Sequence, residues 1–202
     1  MTITPALAIR RGCCKDGVAA AIAKLGRPVA DDDAVSLVDL IDCGVSVSDV
    51  ARAAFVAGIE SRRAYRHWII DVYEARREAA LVVLPIFERD RPGDNRPRAA
   101  LDAYPVAYEA IRASLTVTHA AGGVTLDEAA EVTLDAAYAA YAADAAYAAD
   151  AAREDFRTAF RTWCRSRLRA RLASEVGPVS TDPELAIVLA PLTAAVAARM
   201  TK

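Results

Sequence analysis

The sequence predicts an all-α fold, a mostly antiparallel bundle of several helices that includes a long helix rich in alanine and tyrosine. Of the 202 residues, 47 are alanine, the best helix former, whereas glycine and proline contribute 9 each. Apolar residues recur with the period of an α-helix along most of the chain. Neither the alternation typical of strands nor a short hairpin turn is found, so no sheet is expected.

The first helices are predicted from the residues that begin and end them. An apolar stretch at 18–25 forms one helix, and the acidic residues 31–33 precede a second, which ends at Gly44. Ser46 and Asp49 then have the spacing of a capping box, in which the two side chains satisfy the free amide groups of a helix start. A third helix is therefore expected to begin there.

Longer helices follow. An apolar stripe predicts a helix over about 61–88, with a kink at Pro85. The stretch 125–173 contains neither glycine nor proline, and as one helix it would span about 73 Å at ~1.5 Å per residue. That length exceeds a compact domain, so we expect a break or a sharp bend near 153–155. A last helix should start at the cap formed by 181–184.

This pattern predicts one helical domain over 31–176, preceded by an extension at 1–30 and followed by a C-terminal helix at 177–202 that packs on the bundle. The longest uncharged stretches, 113–126 and 185–198, fall short of the roughly 20 residues of a membrane-spanning helix. With no secretory signal and four cysteines in a chain long enough to fold without disulfides, the sequence predicts a cytoplasmic protein with reduced thiols and no membrane contact.

Residues for catalysis are few. The only histidines are His67 and His119, and no motif of a hydrolase, a phosphate-binding loop, a dinucleotide-binding turn or a metal site is present. Cys164 and His67 could meet an aspartate in space, and a cysteine of unusually low pKa would favour that arrangement. The interpretation we adopt is a protein that is not an enzyme and needs no cofactor or metal.

The most regular charge pattern is a row of arginines. They recur every four residues, so they form a slanted ridge on one helix, here called the arginine ridge. Its members are Arg153, Arg157, Arg161, Arg165 and Arg169, with Arg167 and Arg171 alongside. Residues 31–49, here called the acidic segment, hold six aspartates and no basic residue.

These opposite charges allow two interpretations. In the first, the ridge pairs with the acidic segment or with Asp144 and Asp150 inside the chain, or is solvated. In the second, the ridge or the acidic segment binds a partner of opposite charge, since arginine holds carboxylates and phosphates at two points. The balanced net charge of -2 disfavours nucleic acid as that partner.

Residues 138–150 read YAAYAADAAYAAD, a strict triplet. Three residues advance 300° around an α-helix, so the large side chains spiral around it and leave small alanine patches for several neighbours. A helix between close-packed neighbours is the simpler interpretation. In the other, Tyr141 and Tyr147 line a ligand pocket together with four arginines of the ridge: Arg157, Arg161, Arg165 and Arg169.

Residues 84–103 read LPIFERDRPGDNRPRAALDA. The LP-x-FE start, the acid-rich loop and the arginines Arg96 and Arg98 around Pro97 resemble an all-helical bacterial family of immunity proteins associated with polymorphic toxin systems. The resemblance extends over about 48–163, since an alanine-rich helix with YAA and DAA triplets follows in that family too. It implies no catalytic or binding residues. We interpret Arg96 and Arg98 first as a structural pair, bound to acids such as Glu88, Asp90 or Asp102; the alternative is an anchor for an anionic ligand.

The leading functional hypothesis is a non-catalytic protein of immunity or anti-toxin type, which masks a partner protein, a toxin or effector, by steric occlusion and complementary charge. The alternative is a bundle that sequesters a small molecule or an anion in a pocket between helices, in a defence-related role. Packing of alanine faces would also suit a homodimer.

Overall fold

In a computed structural model, the described residues are 1–95, 98–99, 101–102, 150–174 and 182–201. They are largely helical, which confirms the all-α fold; the antiparallel bundle stays a prediction. Contacts divide the chain into two units. Unit 1 comprises Met1–Val72 and Arg161–Asp182, and unit 2 comprises Tyr73–Phe160 and Pro183–Lys202.

The described residues form seven helices and two very short strands. In chain order they are β1 (Thr2–Ile3), α1 (Pro5–Arg10), α2 (Lys15–Lys24), β2 (Val35–Ser36), α3 (Leu37–Asp42), α4 (Val47–Ala57), α5 (Ile59–Asp90), α6 (Asp150–Ala173) and α7 (Pro183–Met200).

The two strands correct the expectation that no sheet is present. They pair antiparallel, with Thr2 opposite Ser36 and Ile3 opposite Val35. Ile3 and Val35 are both buried, so the pair contributes to the core of unit 1. Strands of two residues are too short to produce the alternating pattern that identifies a strand in a sequence.

Residues 1–30 belong to unit 1, and the division into an extension, a bundle domain and a C-terminal helix stays a prediction. Besides β1 they supply α1, which contacts α4. The hydroxyl of Thr4 accepts a hydrogen bond from the amide of Leu7 at 3.1 Å, and Pro5 occupies the first turn. Thr4-Pro5 is therefore a helix start that the sequence analysis missed.

The helix start predicted at Ser46 is confirmed, with Ser46 as the N-cap of α4. The Ser46 hydroxyl accepts from the amide of Asp49 at 3.1 Å and donates to the Asp49 carboxylate at 2.6 Å. Just before it, Gly44 has a φ of +91°, in the left-handed region that suits the residue after a helix end. α3 and α4 are thus separated by a turn that the sequence itself specifies.

We expect Ser46→Ala to lower the free energy of unfolding by about 1 kcal/mol, because an amide of the first turn of α4 loses its acceptor. Chemical denaturation followed by tryptophan fluorescence measures this change. Ser166→Ala is the matched control, since Ser166 is exposed within α6. An equal loss in both variants would argue against a capping role.

Two predictions about the long helices can be compared with the observed bounds of α5 and α6. α5 covers the predicted helix at 61–88 and continues through Pro85. α6 runs through 153–155 without a break, so the interruption expected there is absent, while a sharp bend stays a prediction. That stretch holds Arg, Glu and Asp, none of which interrupts a helix as glycine or proline does. α6 ends where Ser174 adopts a φ of 63°.

α7 begins at Pro183, as the cap at 181–184 predicts. By length and composition alone this helix could cross a membrane, with a mean hydropathy of 1.4, and 17% of it is buried. Core helices of proteins without a membrane pass the same test, so this is weak grounds for a membrane span. Within α7 the buried side chains are Leu185, Val188 and Leu192.

Unit 1 is built around buried apolar side chains from four helices. They are Leu37 and Ile41 of α3, Val50 of α4, Trp68 of α5, and Trp163, Leu168 and Leu172 of α6. On α5, Trp68 and Val72 of the predicted stripe are buried, as the helical period requires. This core fixes the faces of α3, α5 and α6 on which the charged side chains lie.

Candidate functional site

Two members of the arginine ridge are engaged within unit 1. Arg169 meets Asp42 at two points, with Nε 2.8 Å from Oδ1 and Nη2 3.0 Å from Oδ2. Arg165 donates to the backbone carbonyls of Ile41 and Val45. Ile41 lies in the last turn of α3, whose carbonyl end carries partial negative charge that stabilises a guanidinium, and Val45 lies in the turn that follows. These arginines therefore tie α6 to the end of α3.

Their neighbours form a buried ion cluster, which we define as Asp71, Trp163, Arg167, Arg171 and Asp182. The Asp71 carboxylate accepts from Arg167 Nε at 2.9 Å, and from Arg171 Nε and Nη2, both at 2.6 Å. The Asp182 carboxylate accepts from Arg167 Nη1 at 3.2 Å and from Trp163 Nε1 at 3.1 Å.

Burial makes this cluster important for folding. The side chains of Asp71 and Arg167 are only 3% and 8% exposed. Isolated charges at such depth would be strongly destabilising, but here each lies against an opposite charge, and Arg167 is shared by two carboxylates. The cluster joins α5 to α6 within unit 1.

The other arginines predicted to bind a partner lie at the surface. Arg157 is exposed and its Nη1 is 3.8 Å from Glu154 Oε2. Arg161 is exposed and forms no hydrogen bond or ion pair with any residue that the structure describes. The predicted pocket residues Tyr141 and Tyr147 lie outside the described residues, as does Asp144.

The arginine pair of the family-like loop is described in part, since Arg96 and Pro97 lie outside the described residues. Within unit 2, Arg98 donates to Glu88, with Nε 2.5 Å from Oε1 and Nη2 3.0 Å from Oε2. This hydrogen bond lowers the pKa of Glu88 and raises that of Arg98. Glu88 is one of the three acids that the structural interpretation named.

The acidic segment is far less compensated than the arginine ridge. All six of its aspartates are exposed. Among the described residues only Asp42 is ion-paired, and the hydrogen bond from Arg169 lowers its pKa. Four others are here called the open carboxylates, because no described cation lies within ion-pair distance: Asp31, Asp32, Asp33 and Asp39. Of these, Asp33 accepts from the amide of Ala30 at 2.8 Å.

Unit 1 contains two cavities of different character. One has a volume of about 90 Å³ and is apolar, with Cys13, Val18 and Leu40 in its lining. The other has a volume of about 250 Å³ and is polar, with Arg63, His67 and Arg171 among its lining residues. The second brings together two arginines and a histidine, whereas the charged residues in the lining of the first are Asp49 and Arg52.

His67 is the titratable group of the polar cavity. Its burial lowers its pKa, Arg171 and Arg63 lower that pKa further, and Asp71 acts in the opposite direction with a smaller effect. At neutral pH the imidazole is therefore uncharged, and it forms no hydrogen bond to a residue in the described part of the chain.

This shift makes stability depend on pH. As the pH falls below about 6.5, the unfolded chain takes up a proton on His67 before the folded chain does. Above about pH 6.5 the neutral His67 costs the folded chain no stability. Stability is lost as the pH falls through the pKa of His67 in the folded chain, because the imidazole must then stay neutral or be charged in a buried position. We expect the free energy of unfolding of the protein to fall relative to that of His67→Gln between about pH 8 and about pH 5, in denaturant titrations without phosphate. A constant difference would contradict the shift.

The arrangement of Cys164 and His67 with an aspartate stays a prediction. All four cysteines are free thiols. Burial raises the pKa of Cys13 more than Arg52 lowers it, which disfavours the reactive thiolate. Cys164 contacts α5 through its backbone carbonyl, which accepts from Trp68 Nε1 at 2.9 Å. The described residues contain no group of three or more side chains suited to hold a metal ion.

Comparison with known proteins gives no relative. No family model, no curated protein and no solved structure matches the chain. The resemblance to immunity proteins therefore stays a prediction.

The sequence analysis missed the centre of the ion cluster. Asp71 lies next to Ile70 and Val72, in one of the most apolar stretches of α5. A carboxylate in such a position is almost never buried without a partner, and this was the available signal. Its partner could not be identified, because Arg167 lies 96 residues further along the chain.

Proposed function

We propose that this protein binds a basic partner protein through its acidic segment and masks it, as an immunity protein masks a toxin. The observation that carries the proposal is the asymmetry within unit 1. Four arginines of α6 are bound to carboxylates and carbonyls of the same chain, namely Arg165, Arg167, Arg169 and Arg171, whereas four carboxylates of the acidic segment stay exposed without a described cation. These four carboxylates therefore offer a partner negative charge that no described cation compensates.

Such a surface suits rapid recognition. Clustered like charges attract an oppositely charged protein over several ångströms and speed its encounter. The affinity itself needs apolar anchors, which hot-spot residues usually supply. Unit 1 exposes two large apolar side chains, Phe55 at 40% and Ile59 at 69%, and the guanidinium of Arg62 lies 5.0 Å from the Phe55 ring centre.

The sequence also allowed an acidic partner, bound by the arginine ridge. Arg165 and Arg169 are engaged inside unit 1, so the ridge offers only its first part to a partner. Masking requires no catalytic residues, and we therefore propose a non-catalytic protein. Four free thiols agree with the cytoplasm as its location.

Capture from the source cells tests the proposal. The tagged protein is compared with a neutralised variant, and captured proteins are identified by native mass spectrometry. The neutralised variant carries D31N, D32N, D33N and D39N; asparagine keeps the acceptor that Asp33 offers to Ala30. We expect the protein to capture a basic protein at fixed stoichiometry, the neutralised variant to lose it, and the purified partner's activity to be blocked by one equivalent of the protein.

A matched control separates the acidic segment from net charge. It removes the same four negative charges at exposed positions elsewhere, by D16N, D102N, E154Q and D155N. The control should capture the partner as the protein does. Equal loss in both variants, or a captured acidic protein, would contradict the proposal.

A further inference from the structure

The polar cavity of unit 1 is built from one face of α5 and the end of α6. Glu60, Arg63 and His67 follow each other at helical spacing, so their side chains lie along the same face of α5. Arg171 comes from the last turn of α6. The volume of about 250 Å³ holds a small molecule, since a single water needs only about 10–15 Å³ of such space.

Arg171 is held in place before any ligand arrives. Its Nε and Nη2 both bind Asp71 at 2.6 Å, and that carboxylate is almost fully buried. The third nitrogen, Nη1, donates to no residue that the structure describes. A guanidinium fixed at two points loses little entropy when its remaining N–H groups bind a ligand.

Two further donors at this cavity are not used by the described chain. Arg63 is exposed and forms neither a hydrogen bond nor an ion pair with any described residue. His67 is half-buried and likewise forms no hydrogen bond there. Unlike Arg169, which pairs with Asp42, Arg63 and His67 form no ion pair with a described residue, although Glu60 lies on the same face of α5.

The electrostatic field in the cavity is cationic. The two arginines each change the pKa of His67 more than Asp71 does, and Glu60 is not among the groups that affect it. A bound cation would be repelled by that field, whereas an anion would be attracted. The field and the unused N–H donors thus select the same class of ligand.

We propose that this cavity binds a small oxyanion, a phosphate or a carboxylate, between Arg63, His67 and Arg171. The planar guanidinium groups bind two oxygens at once, and the imidazole adds a third donor from the side. This site is distinct from the acidic segment and does not depend on the partner that we propose for that segment.

The test follows the imidazole of His67 by NMR while inorganic phosphate is added, at constant ionic strength maintained with chloride. The signal is assigned with His67→Gln. We expect saturable shifts at His67 and a rise in its pKa, because a bound anion stabilises the imidazolium. A parallel titration with acetate shows which oxyanion is preferred.

Arg63→Gln should weaken phosphate binding by about tenfold, because a charged donor is lost, while the fold is kept by an exposed side chain without a described partner. Arg27→Gln removes the same charge from another exposed position in unit 1 and should leave the affinity unchanged. Unchanged His67 signals with both anions, or equal affinities for the Arg63→Gln variant and the original protein, would overturn the proposal.

Discussion

Replacing Asp71 with asparagine is expected to lower the free energy of unfolding by about 3–5 kcal/mol, the cost of removing one partner from a buried ion pair. Asparagine has the same shape, so no cavity opens. Asparagine lacks the negative charge that compensates the guanidinium groups of Arg167 and Arg171. The Arg167 side chain is only 8% exposed, so its charge would be left buried. The remaining carboxylate, Asp182, accepts a hydrogen bond from Nη1 of Arg167.

Tryptophan fluorescence during denaturation by urea measures this loss. Both tryptophans of the chain, Trp68 and Trp163, lie in unit 1, so the signal reports the unfolding of the unit that contains the cluster. Asp42→Asn is the control, because it removes a carboxylate from an exposed pair with Arg169. A much smaller loss is expected there, and equal losses would contradict the importance of burial.

Trp163→Ala is expected to produce the second large effect, a loss of about 3–5 kcal/mol, which is typical for truncating a buried aromatic side chain. Trp163 is 2% exposed and its indole also donates to Asp182. Trp163→Phe separates the two contributions: it keeps most of the ring volume and should cost about 1.5–3 kcal/mol, the range for a hydrogen bond to a charged group.

Circular dichroism and the fluorescence of the remaining Trp68 measure both variants. If the phenylalanine variant were as unstable as the alanine variant, the hydrogen bond to Asp182 would dominate and packing would be minor. If both variants matched the original protein, Trp163 could not be part of the core.

Local features of the fold could be predicted because they depend on neighbouring residues. The start of α4 follows from Ser46 and Asp49, which are three residues apart, and the start of α7 follows from Pro183. The helical period likewise placed Trp68 and Val72 in the core. The strand pair was missed because its pairing between Ile3 and Val35 has no local signature.

The charged site could be predicted only in part, for the same reason. Spacing of four residues placed the arginines on one helix face, and Asp42 falls within the acidic segment proposed as their internal partner. Spacing could not tell which arginines are engaged inside the chain. Arg165 binds backbone carbonyls, which every residue has, so the sequence does not identify them as partners. Arg167 binds Asp71, which lies 96 residues earlier in the chain.

The central claim is that the open carboxylates bind the partner and the exposed arginines do not. Stopped-flow association with the captured partner, over a range of salt concentrations, tests it most directly. The neutralised variant is compared with a variant carrying R157Q and R161Q, which changes the exposed part of the ridge.

We expect the neutralised variant to associate about tenfold or more slowly at low salt and to show a weaker dependence on salt, because electrostatic attraction sets the encounter rate. The arginine variant should associate at the rate of the original protein. Slower association of the arginine variant, with no change in the neutralised one, would contradict the account and assign binding to the ridge.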